Sequence, residues 1–307
     1  MMRYALRRII GLVPTLWLLV TAAFFVIRLA PGGPFDEERT ILPEVRANLE
    51  AAYGLDAPLA TQYARYMAAL VRGDLGPSFR HMDTTVNELI GHGLPISAAL
   101  GAAALALALL VGVPLGLYVA VHRGGGVDHG ASVFTASAIA LPAFVLGPVL
   151  ALLFGLRLRW LPAAGWDAGA LRYAVLPVVT LATPVLAYVM RLTRAGLLEV
   201  LGLDYIRAAR ARGLGPRRVI LVHALKPALL PLVSWLGPAV AFVLTGSLVV
   251  ETVFGIPGAG RFLVEGALNR DYTLVMGMIV VYGIITLLCN LGADLAYGWL
   301  DPRIRRQ

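Results

Sequence analysis

Residues 94–121 read LPISAALGAAALALALLVGVPLGLYVAV, twenty-eight residues without a charge. A bilayer crossing needs roughly 20 consecutive, mostly apolar residues, so this stretch alone sets the solvent the chain folds in. Five further runs have the same character, at about 9–30, 131–156, 174–190, 228–250 and 274–297, the run 174–190 being the shortest. Across 307 residues, 59% are hydrophobic and 14% charged, against about 25% charge in ordinary soluble domains. The expected fold class is an all-α integral membrane protein with six transmembrane helices.

The first run follows a basic start, Arg3, Arg7 and Arg8, an arrangement that signal peptides share. Its apolar stretch is too long for a signal sequence and no A-x-A-like site ends it, so it reads as a retained crossing. Six crossings put both termini on one side, and charge assigns that side. Segments 1–8, 122–130, 191–227 and 298–307 carry 15 Lys and Arg in 64 residues; segments 31–93, 157–173 and 251–273 carry 10 in 103. Cytoplasmic flanks retain positive charge, so both termini are expected in the cytoplasm. The formal net charge of +8 is then a topology signal and not a nucleic-acid footprint.

The organisation that follows is an amino-terminal transmembrane helix (1–30), an extracytoplasmic segment (31–93), a five-helix core (94–297) carrying an inward loop (191–227), and a cytoplasmic tail (298–307). Within the outer segment, Pro43–Tyr53 and Pro58–Arg72 read as short amphipathic helices with proline near the start. The segment is either a cap over the outer mouth or a passive linker. Pro114, Pro142, Pro148, Pro177, Pro184, Pro231 and Pro238 fall in or at the ends of apolar runs, where each removes a backbone donor and favours a kink. Gly112 and Gly116 form a G-x-x-x-G step that permits close helix approach. The single cysteine, Cys289, excludes an internal disulfide and a cysteine-based metal site.

The inward loop is the most informative segment. Leu197–Arg212 favours a helix, Gly213 supplies a left-handed stop, and Pro216 is a good first residue for a second helix. The expected shape is a helix–elbow–helix. Its first arm interleaves Ala208, Ala209 and Ala211 with Arg207, Arg210 and Arg212: small residues let a backbone enter a partner's cleft, and guanidinium groups clamp rim carboxylates. The plain alternative is a basic loop that only fixes topology. A DNA-binding helix-turn-helix is excluded by its position between two crossings.

Lys226 is the only lysine, so no Gly-Lys-Ser/Thr phosphate loop exists in the chain, and any such ATP drive must come from a partner. A membrane hydrolase would need a histidine beside a nucleophile such as Ser132, Ser137 or Ser247; the histidines at 81, 92, 122, 129 and 223 all lie in loops or at their edges. An ion-coupled carrier or channel would place ionisable groups within crossings. The sequence offers Arg28, able to snorkel outward, and Asp294, read as structural near the cytoplasmic face.

The stretch 204–231, DYIRAARARGLGPRRVILVHALKPALLP, resembles the EAA loop of ABC importer permeases, and more narrowly that of the dipeptide/oligopeptide permease family. RLAPGGP (28–34), YGLDAPLATQY (53–63), GDLGPS (73–78), ETVFGIPGAGR (251–261), RDY (270–272) and NLGADLAYGWLDPRIR (290–305) extend the resemblance, in order, over almost the whole chain. Two positions depart from the pattern: Arg207 stands where the loop usually has Glu, and Pro227 where it usually has Asn.

The resemblance implies the first permease subunit of a type I ABC importer in the bacterial inner membrane. The second to sixth crossings would form the core, and the first would wrap a partner. It implies a homologous second permease, two ATPase subunits that hold ATP and Mg, an extracytoplasmic substrate-binding protein and surrounding lipid. No cofactor, metal or nucleic acid is expected on this chain. The ATPases would be gripped by Arg207, Ala208, Ala209, Arg210, Arg212, Gly213, Leu214 and Gly215. Glu251, Phe254, Gly255, Pro257, Gly258 and Gly260 are outer-loop or gate candidates. Di- or oligopeptides are the expected substrate; nickel, glutathione-like compounds and oligosaccharides are carried by similar permeases.

Overall fold

A computed structural model describes residues 2–29, 51, 54–81 and 83–300, with the side chains of 2–9, 245, 246 and 297–300 left aside. The expected helix Pro43–Tyr53 and the tail beyond residue 300 lie outside the described residues, but for Ala51. Helix α1 is Met2–Leu29. Its Val20 and Phe24 are buried against Met276, Val280 and the outer helix α2, Leu59–Val71. The other faces of α1 stay open, with Val13 and Val26 each 69% exposed, as befits a helix solvated by lipid or by another subunit. Tyr63 and Tyr66 of α2 meet the Phe24 ring, and burial pushes the Tyr66 phenol up to about 12. Arg28, which the sequence suggested could snorkel outward, reaches the outer helix α2. It is half-buried, bonded to Gln62 and set over the Phe24 and Tyr272 rings at 5.3 and 5.7 Å.

Helix α3, Val86–Val121, starts on a capping box in which Thr85 and Glu88 satisfy each other's backbone donors. Its 36 residues span about 54 Å at 1.5 Å each, well beyond the roughly 30 Å hydrocarbon layer. Its first turns therefore belong to the outer segment. Helix α6, Arg172–Leu201, likewise runs eleven residues past the expected end of its crossing. The two helices pack through the G-x-x-x-G step. A Cβ on Gly112 would sit 2.9 Å from Val189, and one on Gly116 2.7 Å from the Met190 carbonyl oxygen.

The third crossing differs from the straight 131–156 helix expected. It is α4, Gly126–Ala140, and α5, Ala143–Leu150, the latter continuing as a π-helix over Ala151–Arg157; the two halves meet at 104°. The cause is local. Pro142 has no N–H for the ladder and disfavours helical backbone at Leu141, which is extended at ψ 113°. The two ends still reach opposite ends of the bundle. Asp128 pairs with Arg194 near the inner end of α6, while Ala151 and Phe154 pack against Leu176 and Phe254 near the outer end. The pair is one broken crossing, and with α1, α3, α6 and two later helices it makes six.

The elbow and the outer loops complete the chain. Helix α7 is Asp204–Ala211. The pieces Pro216–Arg218, a π-helix Val219–Ala224 and Leu225–Ala228 lead into α8, Leu230–Phe254. Helix α9, Ala259–Leu268, lies across the outer end, and α10, Tyr272–Leu300, returns inward. Among the described residues there is no strand, only one isolated bridge, Pro77 to Thr85. Asp271 caps α10 through the Leu274 amide and accepts from the Ser78 hydroxyl. Arg80 Nε donates to the Asn269 carbonyl at 2.9 Å. The 73–85 segment is thus tied to the last outer loop, which favours the cap over the passive linker.

Candidate functional site at the two ends of the bundle

At the inner end, the helix expected over Leu197–Arg212 is two helices, broken at Gly202 and the extended Leu203 (ψ 150°). Glycine is a poor interior helix residue, and one extended residue redirects the chain. Gly213 then takes φ +80°, the left-handed conformation that ends α7, and its N–H returns to the Arg210 carbonyl at 2.9 Å. Gly215 precedes Pro216 at the first position of the next turn, as the sequence indicated.

Packing separates the coupling candidates into two groups. Ile206 and Ala209 are 0% and 2% exposed, set among Leu197, Val200, Val219 and Ala224. Arg207, Ala208, Arg210, Ala211, Arg212, Gly213 and Gly215 are exposed, and Leu214 is half-buried against the same core. Ala209, one of the expected docking residues, is thus buried against its own chain, where its small side chain lets α7 pack closely. Arg207 is paired with Asp204 one turn back.

The second arm accommodates Pro227 by a wide turn. In an α-helix, a proline ring at 227 would clash with the carbonyl of residue 223. Here the Leu225 N–H reaches the Ile220 carbonyl five residues back, the π register, and the His223 carbonyl accepts from the Tyr205 hydroxyl at 3.4 Å. Just beyond, α6 approaches so closely that a Cβ on Gly196 would collide with the Ala228 carbonyl.

At the outer end, α8 closes on a Schellman motif. Gly255 lies at φ +67°, its N–H bonds to the Thr252 carbonyl, and the Ile256 N–H bonds to the Glu251 carbonyl at 2.8 Å. This turn folds the following glycines back over Glu251, whose side chain is fully buried. Glu251 Oε2 accepts from the Arg261 N–H at 3.1 Å, in the first turn of α9, so a carboxylate from α8 caps a helix whose own cap residue, Gly258, has no side chain. A Cβ at Gly260 would lie 2.7 Å from that oxygen, and one at Gly258 would strike the carboxylate. From α3, Ser97 Oγ accepts from the Ala259 N–H at 2.9 Å, and Gly93 admits the backbone of Gly258 and Ala259. Glu251 Oε1 and the Tyr282 hydroxyl of α10 are buried without a hydrogen-bond partner among the described residues.

Of the expected gate residues, Glu251, Phe254, Gly258 and Gly260 are buried at this junction, while Gly255 and Pro257 face outward. The sequence had offered only Arg28 and Asp294 as ionisable groups within crossings. Glu251 was expected as a gate candidate through the motif 251–261, and not as an ionisable group within a crossing, because it stands at the edge of an apolar run. Asp294 is half-buried in the inner part of α10. No cluster that could hold a metal exists among the described residues.

Six crossings, an exposed basic elbow at one end and a glycine-wrapped closure at the other define a multi-pass membrane transport subunit. Its fold matches the inward-facing MetNI methionine ABC transporter at a TM-score of 0.55 and 19% identity, over 69% of this chain and 96% of that one. The chain belongs to the family of binding-protein-dependent transport system inner membrane components, whose family model matches residues 112–306 and whose amino-terminal companion matches residues 1–100. The oligopeptide transport system permease protein OppB of Salmonella typhimurium is 46% identical over 305 residues, 99% of this chain and 100% of that protein. The dipeptide transport system permease protein DppB of Bacillus subtilis is 40% identical over 305 residues, 99% and 98% of the two. The motif resemblance is thereby borne out. These relatives are permease subunits rather than enzymes.

Proposed function

We propose that this chain is one of two permease subunits of an ATP-driven importer of di- or oligopeptides. The observation that carries the reading is the elbow. Its buried face is satisfied by its own chain, which leaves Ala208, Arg210, Arg212 and Gly215 outward beside the Asp204-paired Arg207 and the turn at Gly213. The peptide substrate is supported by relatives named for oligopeptide and dipeptide transport that match the whole chain.

Two ATPase subunits grip the elbow, hold ATP and Mg, and drive a second, homologous permease in step with this one. A substrate-binding protein delivers peptide at the outer end, where the Glu251 junction and α9 act as the gate. Closure of the ATPases moves the elbow, and the π-turned arm passes that motion to α8. The cycle requires ATP and the loaded binding protein to bind the two states with different affinity.

The test is uptake in a strain lacking this chain, with di- and oligopeptides, nickel, glutathione and oligosaccharides offered separately. Loss of peptide uptake, restored by the intact gene and not by Gly213→Pro, is expected; proline cannot adopt φ +80°. Peptide uptake that survives the deletion while another substrate is lost would overturn the substrate, and full rescue by Gly213→Pro would overturn the elbow's role.

A further inference from the structure

Neither the elbow nor the outer junction uses a trough that runs along the flank of α6. Pro184, Tyr188 and Arg191 fall at i, i+4 and i+7, one face of that helix. A cavity of about 360 Å³ opens at the break of the third crossing, between Pro142, Thr180, Pro184 and Phe242. A second, of about 250 Å³, lies further inward between α4 and α6, lined by Ser132, Thr135, Arg191 and Arg194. Ile139 lines both, so the two cavities adjoin along one trough. Phe242 lines the upper cavity, and behind it Tyr188 meets Phe242 edge-on at 6.4 Å and stacks on Trp235 at 5.4 Å.

The charges in this trough are unequal. Arg194 is spoken for: its Nε and a terminal nitrogen donate to the two Asp128 carboxylate oxygens at 2.7 and 2.8 Å. Arg191 is exposed and has no hydrogen-bonding or acidic partner among the described residues. One uncompensated guanidinium therefore stands at the inner mouth, beside the hydroxyls of Ser132 and Thr135. Planar guanidinium groups favour carboxylates through paired hydrogen bonds. From Arg191 to Pro184 the helix rises about 10 Å, the length of about three extended residues.

We infer that the trough is this subunit's own substrate-contact surface, and that Arg191 receives the terminal carboxylate of a transported peptide on its way to the inner side. This rests on the peptide-import reading above.

The experiment uses the complete permease–ATPase complex in nanodiscs, without binding protein, and a radiolabelled tripeptide as the free acid or the carboxyl-terminal amide. The free acid is expected to bind about ten-fold more tightly, as the loss of one charge-assisted hydrogen bond implies. Arg191→Gln should abolish the preference by weakening binding of the free acid, and Arg191→Lys should restore part of it. Equal binding of acid and amide to the unaltered complex, or a preference that persists in Arg191→Gln, would overturn the inference. So would a preference seen in phosphatidylcholine discs and erased by phosphatidylglycerol, since Arg191 would then serve a lipid headgroup. If the uptake assay shows no peptide transport at all, the parent reading fails; if uptake stands and acid and amide bind alike, only this inference fails.

Discussion

Ala208 and Ala209 are adjacent, identical in type, and indistinguishable in the motif that contains them. The fold gives them opposite surroundings, Ala208 in solvent and Ala209 at 2% exposure beneath α7. Substituting aspartate at each position separates folding from docking. Ala209→Asp places an unpaired carboxylate among Leu197, Val200 and Ala224, a change expected to cost several kcal/mol and to lower the thermal unfolding midpoint of the purified permease. Ala208→Asp should leave that midpoint within the scatter of an ordinary surface change, about 0.5 kcal/mol, yet reduce co-purification of the ATPases. Equal behaviour of the two variants in both measurements would refute the division. Residue identity and spacing located the elbow correctly, but which alanine faces inward depends on the angle at Gly202 and Leu203, which periodicity along one helix does not encode. Glu251 teaches the same lesson. The groups around it come from positions 97, 258, 260 and 261, on two other elements, and no local pattern brings those together.

Between residue and molecule, the second arm of the elbow carries Pro227, one of the two departures from the motif the loop resembles. Pro227 removes a backbone donor, and the π turn over Val219–Ala224 moves the neighbouring carbonyls out of the ring's way. The sequence flagged this position as unusual; the wide turn is the physical answer, and it required knowing that Tyr205, on the other arm, reaches the freed His223 carbonyl. Tyr205→Phe removes that donor. The bond is long and exposed, so the expected loss is at most about 1 kcal/mol, felt locally. Amide hydrogen exchange over residues 219–228 should quicken by up to about five-fold, with the global midpoint unchanged. Pro227→Asn should act in the opposite sense, because a restored N–H lets the α register return. Unaltered exchange in both variants would show that the joint does not depend on this accommodation. The prolines differ for a related reason: those at 177 and 184 sit inside α6, where packed neighbours hold the helix, whereas Pro142 coincides with an extended Leu141 and breaks its crossing.

At the scale of the whole molecule, the apolar runs and the asymmetry of arginine made six crossings legible before any contact was known, since both are solvation effects that act residue by residue. The 104° bend is not of that kind, and it makes the path of the third crossing the decisive test of topology. If α4 and α5 traverse the bilayer, Asp167 in the following loop lies outside with Arg80, opposite Arg212 of the elbow. If the pair turned back, Asp167 would lie on the elbow's side. The chain offers a clean background for the measurement, because Cys289 is its only thiol and Cys289→Ser removes it. Single replacements Arg80→Cys, Asp167→Cys and Arg212→Cys, treated with a membrane-impermeant maleimide, should label from the outside at the first two positions and only after permeabilisation at the third. Asp167→Cys labelling together with Arg212→Cys would make the pair re-entrant, and the inward run of the trough from the break to Arg191 would then lose its direction. The contacts argue for the crossing. The Asp128–Arg194 pair and the packing of Phe154 by Phe254 hold its two ends at opposite ends of the bundle, and a segment that turned back within one leaflet could not reach both.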